Sequence, residues 1–195
     1  MAIIPDCGHL QASSLDSLNR LARDRGWTVR CDGSGRYYVP ELADLHAIWR
    51  ANAGACIPLR SAMTARLLKH YLKILVLHER VAAPDGSRCY RARLMGEQTA
   101  EVVGEGTGKF YGEFVGESLL PMWNAMSDAV LAYGGPVRFV LAHDAAGFKA
   151  GEAFAAPLST DDGRMDLILS AVRFLPVWTW KDILAHWEED MAAMA

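Results

Sequence analysis

The sequence predicts an α+β fold: a five-stranded antiparallel sheet with helices on one face, plus flanking helices at both ends. Three observations carry this expectation. The stretch from Leu72 to Leu175 reads strand, strand, helical, strand, strand, strand. Turn-forming residues join paired strands at Ala83–Ser87 and Ser159–Gly163. Apolar residues at helical spacing stand before and after this block. Strands joined by short turns pair antiparallel, and such a sheet covers one face with helices while leaving the other free.

Each element has its own local signature. Residues 1–13 form a loose start. A helix follows over Ser14–Arg25, with Leu15, Leu18, Leu21 and Ala22 on one face and Gly26 at its end. Trp27–Cys31 and Arg36–Val39 flank the Gly-rich Asp32–Gly35 and read as a short hairpin or an irregular link. Pro40 opens a second helix over Glu41–Ala53, whose Leu42, Leu45, Ile48 and Trp49 share a face. Thr64 caps a short helix reaching about His70. Leu72–Val81 and Arg88–Leu94 form a hairpin in which Tyr90, Ala92 and Leu94 point one way, and Cys89, Arg91 and Arg93 the other. Glu97–Val103 and Glu117–Tyr133 are helical, and Gly134-Gly135-Pro136 stops the second. Three strands follow at Val137–Ala142, Glu152–Leu158 and Arg164–Leu175. A last helix spans Thr179–Met191, with Trp180, Ile183, Leu184 and Trp187.

The totals narrow the function classes. At 195 residues and 51% hydrophobic, the chain suits one globular domain. Its longest apolar runs, such as Ile74–Leu77, are too short to span a bilayer, and its start lacks the basic and apolar regions of a secretory signal. A cytoplasmic location is expected, with no membrane partner. Cys7, Cys31, Cys56 and Cys89 lie far apart, without the close pairs of a zinc site. Residues 1–95 carry 14 Lys/Arg against 8 Asp/Glu, whereas residues 96–195 carry 6 against 15. Scattered basic residues and an acidic second half argue against a nucleic-acid partner; mutual neutralisation of the two halves explains the split.

The strand and helix order resembles the PAS fold. Several stretches are similar to a bacterial family of short, stand-alone PAS proteins. They are Leu45–Arg50, Pro58-Leu59-Arg60, Tyr90–Gly96, Gly104–Lys109, and Pro157-Leu158-Ser159 followed by Asp162-Gly163. Together they cover about residues 45 to 175. The chain departs from the family after Arg60, where Ser61-Ala62-Met63-Thr64 replaces an acidic, Pro-containing helix start, and residues 1–40 have no counterpart in it. The resemblance implies an N-terminal helical extension at 1–44, a PAS-like domain at 45–175 and a C-terminal helix at 176–195. It implies a sensory and regulatory role in signal transduction and lends no catalytic residues.

Candidate chemistry is sparse. Gly104–Lys109 fails the phosphate-loop spacing, because Phe110 follows Lys109. None of the histidines His9, His46, His70, His78, His143 and His186 lies in the 97–133 helical stretch, where a haem ligand would be expected; each reads as an ordinary surface or core histidine. No cysteine lies there either, so a flavin adduct is not expected. No strained serine turn is present, and an acid–base pair would need Asp166 or Glu152 to face inward. Arg91 and Arg93 are expected to pair with Glu79 across the hairpin.

What remains is an apolar pocket between sheet and helices, with Tyr90, Leu94, Val103, Phe110, Trp123, Met126, Phe139, Phe154, Leu167 and Leu169 as candidate lining residues. A packed core and a ligand-holding cavity both stand as readings. The expectation is a non-catalytic sensory module acting through protein–protein contacts, as a homodimer or with a signalling partner. A small apolar ligand in the pocket is one optional tuner; no cofactor or metal is required. The alternative is a small-molecule isomerase or hydrolase on a curved α+β sheet.

Overall fold

The computed structural model describes residues 11–53, 57–82, 88–142 and 150–194. The expected turn at Ala83–Ser87 lies outside the described residues, as do Cys7, His9, Cys56 and His143. Along the chain come α1 (Ala12–Asp24), β1 (Val29–Asp32), α2 (Pro40–Ala53), β2 (Leu75–Ala82), β3 (Arg88–Met95), α3 (Glu97–Val103), α4 (Tyr111–Phe114), α5 (Leu120–Tyr133), β4 (Val137–Leu141), β5 (Ala150–Leu158), β6 (Leu167–Leu175) and α6 (Trp180–Ala192).

The strands form one antiparallel sheet in the order β1-β4-β5-β6-β2-β3. The last five keep the expected succession, with α3, α4 and α5 between the second and third of them. The strand count is six rather than five. The N-terminal stretch, expected to be purely helical outside its hairpin, supplies the sixth: β1 pairs with β4 from Val29↔Leu141 to Asp32↔Arg138. The local hairpin over Trp27–Val39 does not form. The Asp32 carboxylate accepts the Ser34 N–H at 2.9 Å and the Ser34 hydroxyl at 2.5 Å, turning the chain away after the strand. The helix expected after Thr64 is instead a run of turns, bonded Leu68 N–H to Thr64 O and Tyr71 N–H to Leu68 O.

Helices cover both faces of the sheet, not one. On the first face, Leu15, Leu18 and Ala22 of α1 and Met122, Ala129 and Val130 of α5 share a core with Val29, Phe139, Ala153, Ala155 and Ile168. On the second, Leu42, Leu45 and Trp49 of α2 meet Leu75, Leu77, Phe154, Leu158, Leu167 and Leu169. Ile183 and Trp187 of α6 pack on Val140 and Ala150. The strand sequences explain this. β5 is buried at every position from Ala150 to Leu158, the pattern of a strand with no wet side. Fully burying one side chain such as Ile183 contributes ~1.5–3 kcal/mol, so leaving either face bare would be expensive.

A register shift sits between β2 and β3. Val76 opposes Met95 and Leu77 opposes Leu94, but His78 opposes Ala92, so Arg93 is an extra residue. One extra residue reverses the alternation beyond it. Tyr90 and Ala92 are buried as expected, but then Met95 turns inward and Leu94 is 45% exposed. Immediately after, Gly96 crosses so near the chain at Leu72 and Lys73 that a Cβ there would lie 2.4 Å from their backbone atoms.

A buried ionic cluster fastens both termini to the second face. Arg138 is fully buried, with Nε donating to Glu152 Oε1 at 2.8 Å and Nη1 to Asp190 Oδ2 at 2.9 Å; Asp32 Oδ2 lies 3.8 Å from Nη1. Its guanidinium sits 4.3 Å from the Tyr38 ring centroid. Glu152 also accepts the backbone N–H groups of Tyr38 and Val39, at 3.2 and 2.9 Å. From α6, Trp187 Nε1 donates to Asp32 Oδ2 at 2.7 Å. One strand residue thus holds β1, the segment before α2, and α6 together.

Candidate functional site

Between α5 and the first face of the sheet lies a cavity of about 120 Å³. Strand alternation makes the room. β5 turns Ala153 and Ala155 toward α5 and sends its larger Phe154 and Leu158 to the opposite core. Across the ladder, Ala155 pairs with Ser170 and Ala153 with Val172, so small side chains meet at the cavity floor. Trp123, Met126 and Val130 of α5 close the other side, and half-buried Leu141, Ala142 and Phe174 stand at its edge. A second cavity of about 140 Å³ shares Val103, Leu119 and Trp123 with the first.

Four uncharged polar side chains line the first cavity and bond into one chain. His78 Nε2 is 2.7 Å from Ser170 Oγ. His78 Nδ1 is 2.7 Å from the Tyr111 hydroxyl, which is 3.1 Å from Ser127 Oγ. His78 and Ser170 are diagonal neighbours on β2 and β6, since His78 opposes Ile168 and Val76 opposes Ser170. Tyr111 is placed by the single turn of α4, whose entry is fixed by the Glu113 carboxylate accepting the Phe110 N–H at 2.6 Å. Its ring stacks on Tyr90, with centroids 5.5 Å apart, and meets Trp123 edge-on at 5.3 Å.

Burial sets the charge state of the chain. It pushes the His78 imidazole down to about 3, so the ring is neutral at ordinary pH. It raises the Tyr111 phenol despite the opposing Ser127 hydrogen bond, so that group keeps its proton. A neutral imidazole has one donor and one acceptor nitrogen. The chain therefore runs in either of two directions. In one, Ser170 donates to His78, His78 to Tyr111 and Tyr111 to Ser127. In the other, every bond reverses. Each direction leaves one terminal serine O–H outside the chain.

The sequence-predicted pocket residues divide sharply. Val103, Trp123, Met126 and Phe139 line the cavity. Tyr90 is buried beside it, stacked on Tyr111 and donating to Asp128 Oδ1 at 2.5 Å. Leu94 is turned out by the register shift. Phe110 is 42% exposed, because Tyr111, the next residue, takes the inward position. Phe154, Leu167 and Leu169 are buried on the opposite face under α2, since strand residues one apart point to opposite sides. Sequence reasoning missed His78, Tyr111, Ser127 and Ser170. A usable signal was present: His78 follows Val76 on the alternation, and Ser127 follows Trp123 by one helical turn on an apolar stripe.

The two carboxylates considered for acid–base work lie elsewhere. Glu152 is in the Arg138 cluster, and Asp166 pairs with Arg80 at 2.8 Å. Glu79 takes both Arg91 and Arg93, the latter at 3.5 Å. Among the described residues, no group of three or more His, Cys, Asp or Glu side chains is placed to hold a metal ion. No helix among them is long and apolar enough to cross a membrane.

No protein-family model matches the chain, and no curated protein matches it. Among solved structures, the chain is similar to an RNA-binding light-oxygen-voltage receptor at 17% identity and a TM-score of 0.39. That alignment covers 70% of this chain, which spans 38% of the receptor's length.

Proposed function

We propose that this protein is a non-catalytic sensory module of the PAS kind, in which a small molecule held between sheet and α5 tunes contacts with a second copy or a signalling partner. The observation that supports the reading best is the apolar cavity with an uncharged hydrogen-bonding chain built into its wall. Cavities with a few placed polar groups are the usual form of small-molecule sites. Since α2 and α6 cover the second sheet face, contacts with a partner fall to the outer surfaces of the helices and the edges of the sheet. Native mass spectrometry of protein purified from its own host, with size-exclusion chromatography across concentration, tests this. The expected result is a retained small molecule and an assembly state that changes when it is removed. A ligand-free protein that stays monomeric at every concentration refutes it.

A small-molecule enzyme is the second reading, favoured by the 2.7 Å contact between His78 and Ser170. A general base works best with a pKa near the operating pH. Burial holds His78 near 3, far below that range, and among the described residues no carboxylate lines the cavity. The sensory reading accounts for both facts.

A further inference from the structure

We infer that the cavity selects an uncharged molecule of about one ring, carrying a single hydroxyl or carbonyl oxygen that bonds to the Ser170–His78 end of the polar chain. The inference rests on the sensory reading and adds the ligand's chemical class.

Size sets the first limit. An apolar cavity of about 150 Å³ accommodates benzene. At about 120 Å³, this one has room for a single six-membered ring or a short aliphatic chain. Charge sets the second. Among the described residues, no Lys, Arg, Asp or Glu lines the cavity, so a carboxylate or ammonium there meets no counter-charge from them. Polarity sets the third. Among the described residues, the wall is apolar except at His78, Thr99, Tyr111, Ser127 and Ser170. Thr99 is already committed to the Ile74 carbonyl at 3.1 Å. The remaining four form the chain, whose two directions give its ends a useful property. When Ser170 donates to His78, its oxygen accepts from a ligand hydroxyl. When His78 donates to Ser170, the serine O–H is released to a ligand carbonyl. The site adapts to either oxygen by reversing its tautomer, with no change in charge. An apolar molecule of the same shape gains neither bond.

The test compares 4-methylphenol, toluene and benzoate at neutral pH by isothermal titration calorimetry on the full chain. The wild-type protein is expected to bind 4-methylphenol about tenfold more tightly than toluene, and benzoate more weakly than either. Ser170→Ala is expected to bring the 4-methylphenol affinity to within about threefold of that for toluene. Ala155→Leu, which fills the floor, is expected to abolish both; Ala153→Val is the milder substitute if that variant does not fold. Equal affinity for 4-methylphenol and toluene, or an unchanged ratio in Ser170→Ala, overturns the inference and leaves the ligand-binding reading standing. No binding of any probe, with another molecule retained in native mass spectrometry, overturns the assigned class alone. No binding of any probe and no retained molecule overturns both.

Discussion

Beneath α6, Arg138 meets three carboxylates, and each of them also holds another part of the chain. Beneath α5, on the other side of the same sheet, His78, Tyr111, Ser127 and Ser170 are joined without any formal charge. The charged assembly and the cavity are separated by single residues on β4 and β5: Arg138 and Glu152 point to α6, while Phe139 and Ala153 point to the cavity. The charged assembly bonds Arg138 through Nε and Nη1 and grips three distant segments. The neutral one borders open space and keeps hydroxyl capacity in reserve. Buried charge tolerates only a fixed geometry, because removing a partner strands an ion in a poor solvent. Neutral hydroxyls and imidazole tolerate a change of partner at small cost. The contrast separates a fastening from a receptive surface.

Breaking the fastening has the largest expected effect. Arg138→Met leaves Glu152 and Asp32 without their cation and is expected to lower stability by ~3–5 kcal/mol, read from urea unfolding. Adding Glu152→Gln should restore part of that loss, because the amide oxygen still accepts from the Tyr38–Val39 backbone while the buried charge is gone. A double variant no more stable than Arg138→Met alone contradicts this reading of the cluster.

The neutral assembly is exposed to acid instead. Its His78 titrates near 3 when folded and near 6.5 when unfolded. The folded state thus binds fewer protons, so the contribution is full above about 6.5 and is lost as pH falls toward 3. The loss is ~1.4 kcal/mol per pH unit within that window. Glu152 acts in the opposite sense, since burial raises its carboxyl despite the Arg138 and backbone bonds. The measurement is therefore the difference in pH–stability slope between wild type and His78→Gln. Identical slopes would show that His78 is not held neutral.

Tyr111→Phe interrupts the chain at its middle and leaves His78 Nδ1 without its partner. The expected loss is ~1–2 kcal/mol by urea unfolding, with the Tyr90 and Trp123 ring contacts retained. A neutral outcome would mean the chain is dispensable to the fold. The smallest effect is expected at the rim of the charged cluster. The Asp190 carboxyl would be raised by burial, but hydrogen bonds from Tyr38 and Arg138 together hold it below the usual carboxylate range. Its side chain is 26% exposed, and water screens the pair. Asp190→Asn should cost ~0.5–1 kcal/mol, read from the same unfolding curves. A loss as large as that of Arg138→Met would place the cluster's strength at α6 rather than on β4 and β5.

Periodicity made the elements legible. α1, α2, α5, α6 and the five later strands fall close to where apolar spacing and turn residues put them. Three things were hidden, each for a physical reason. β1 carries no local sign of its partner, because its pairing with β4 is long-range. The register shift at Arg93 is invisible to a strict two-residue alternation, which therefore assigned Leu94 to the interior in place of Met95. The orientation of β5 and β6 could not be read from hydrophobicity, since both sides of β5 are buried; Phe154, Leu167 and Leu169 went to the wrong core for that reason. The polar chain was missed because its members come from four elements and no two are neighbours in sequence.

The pairing of β1 with β4 also has a meaning in time. Thr28 and Ala142, joined at the end of this ladder, are separated by 114 residues. During synthesis the first strand leaves the ribosome long before its partner exists, and it must wait, unpaired, while the rest of the sheet is made. Closing so long a span is slow, because its entropy is lost before the contact forms. β1, at one edge of the sheet, is thus made well before its partner, and their pairing places Asp32 beside Arg138.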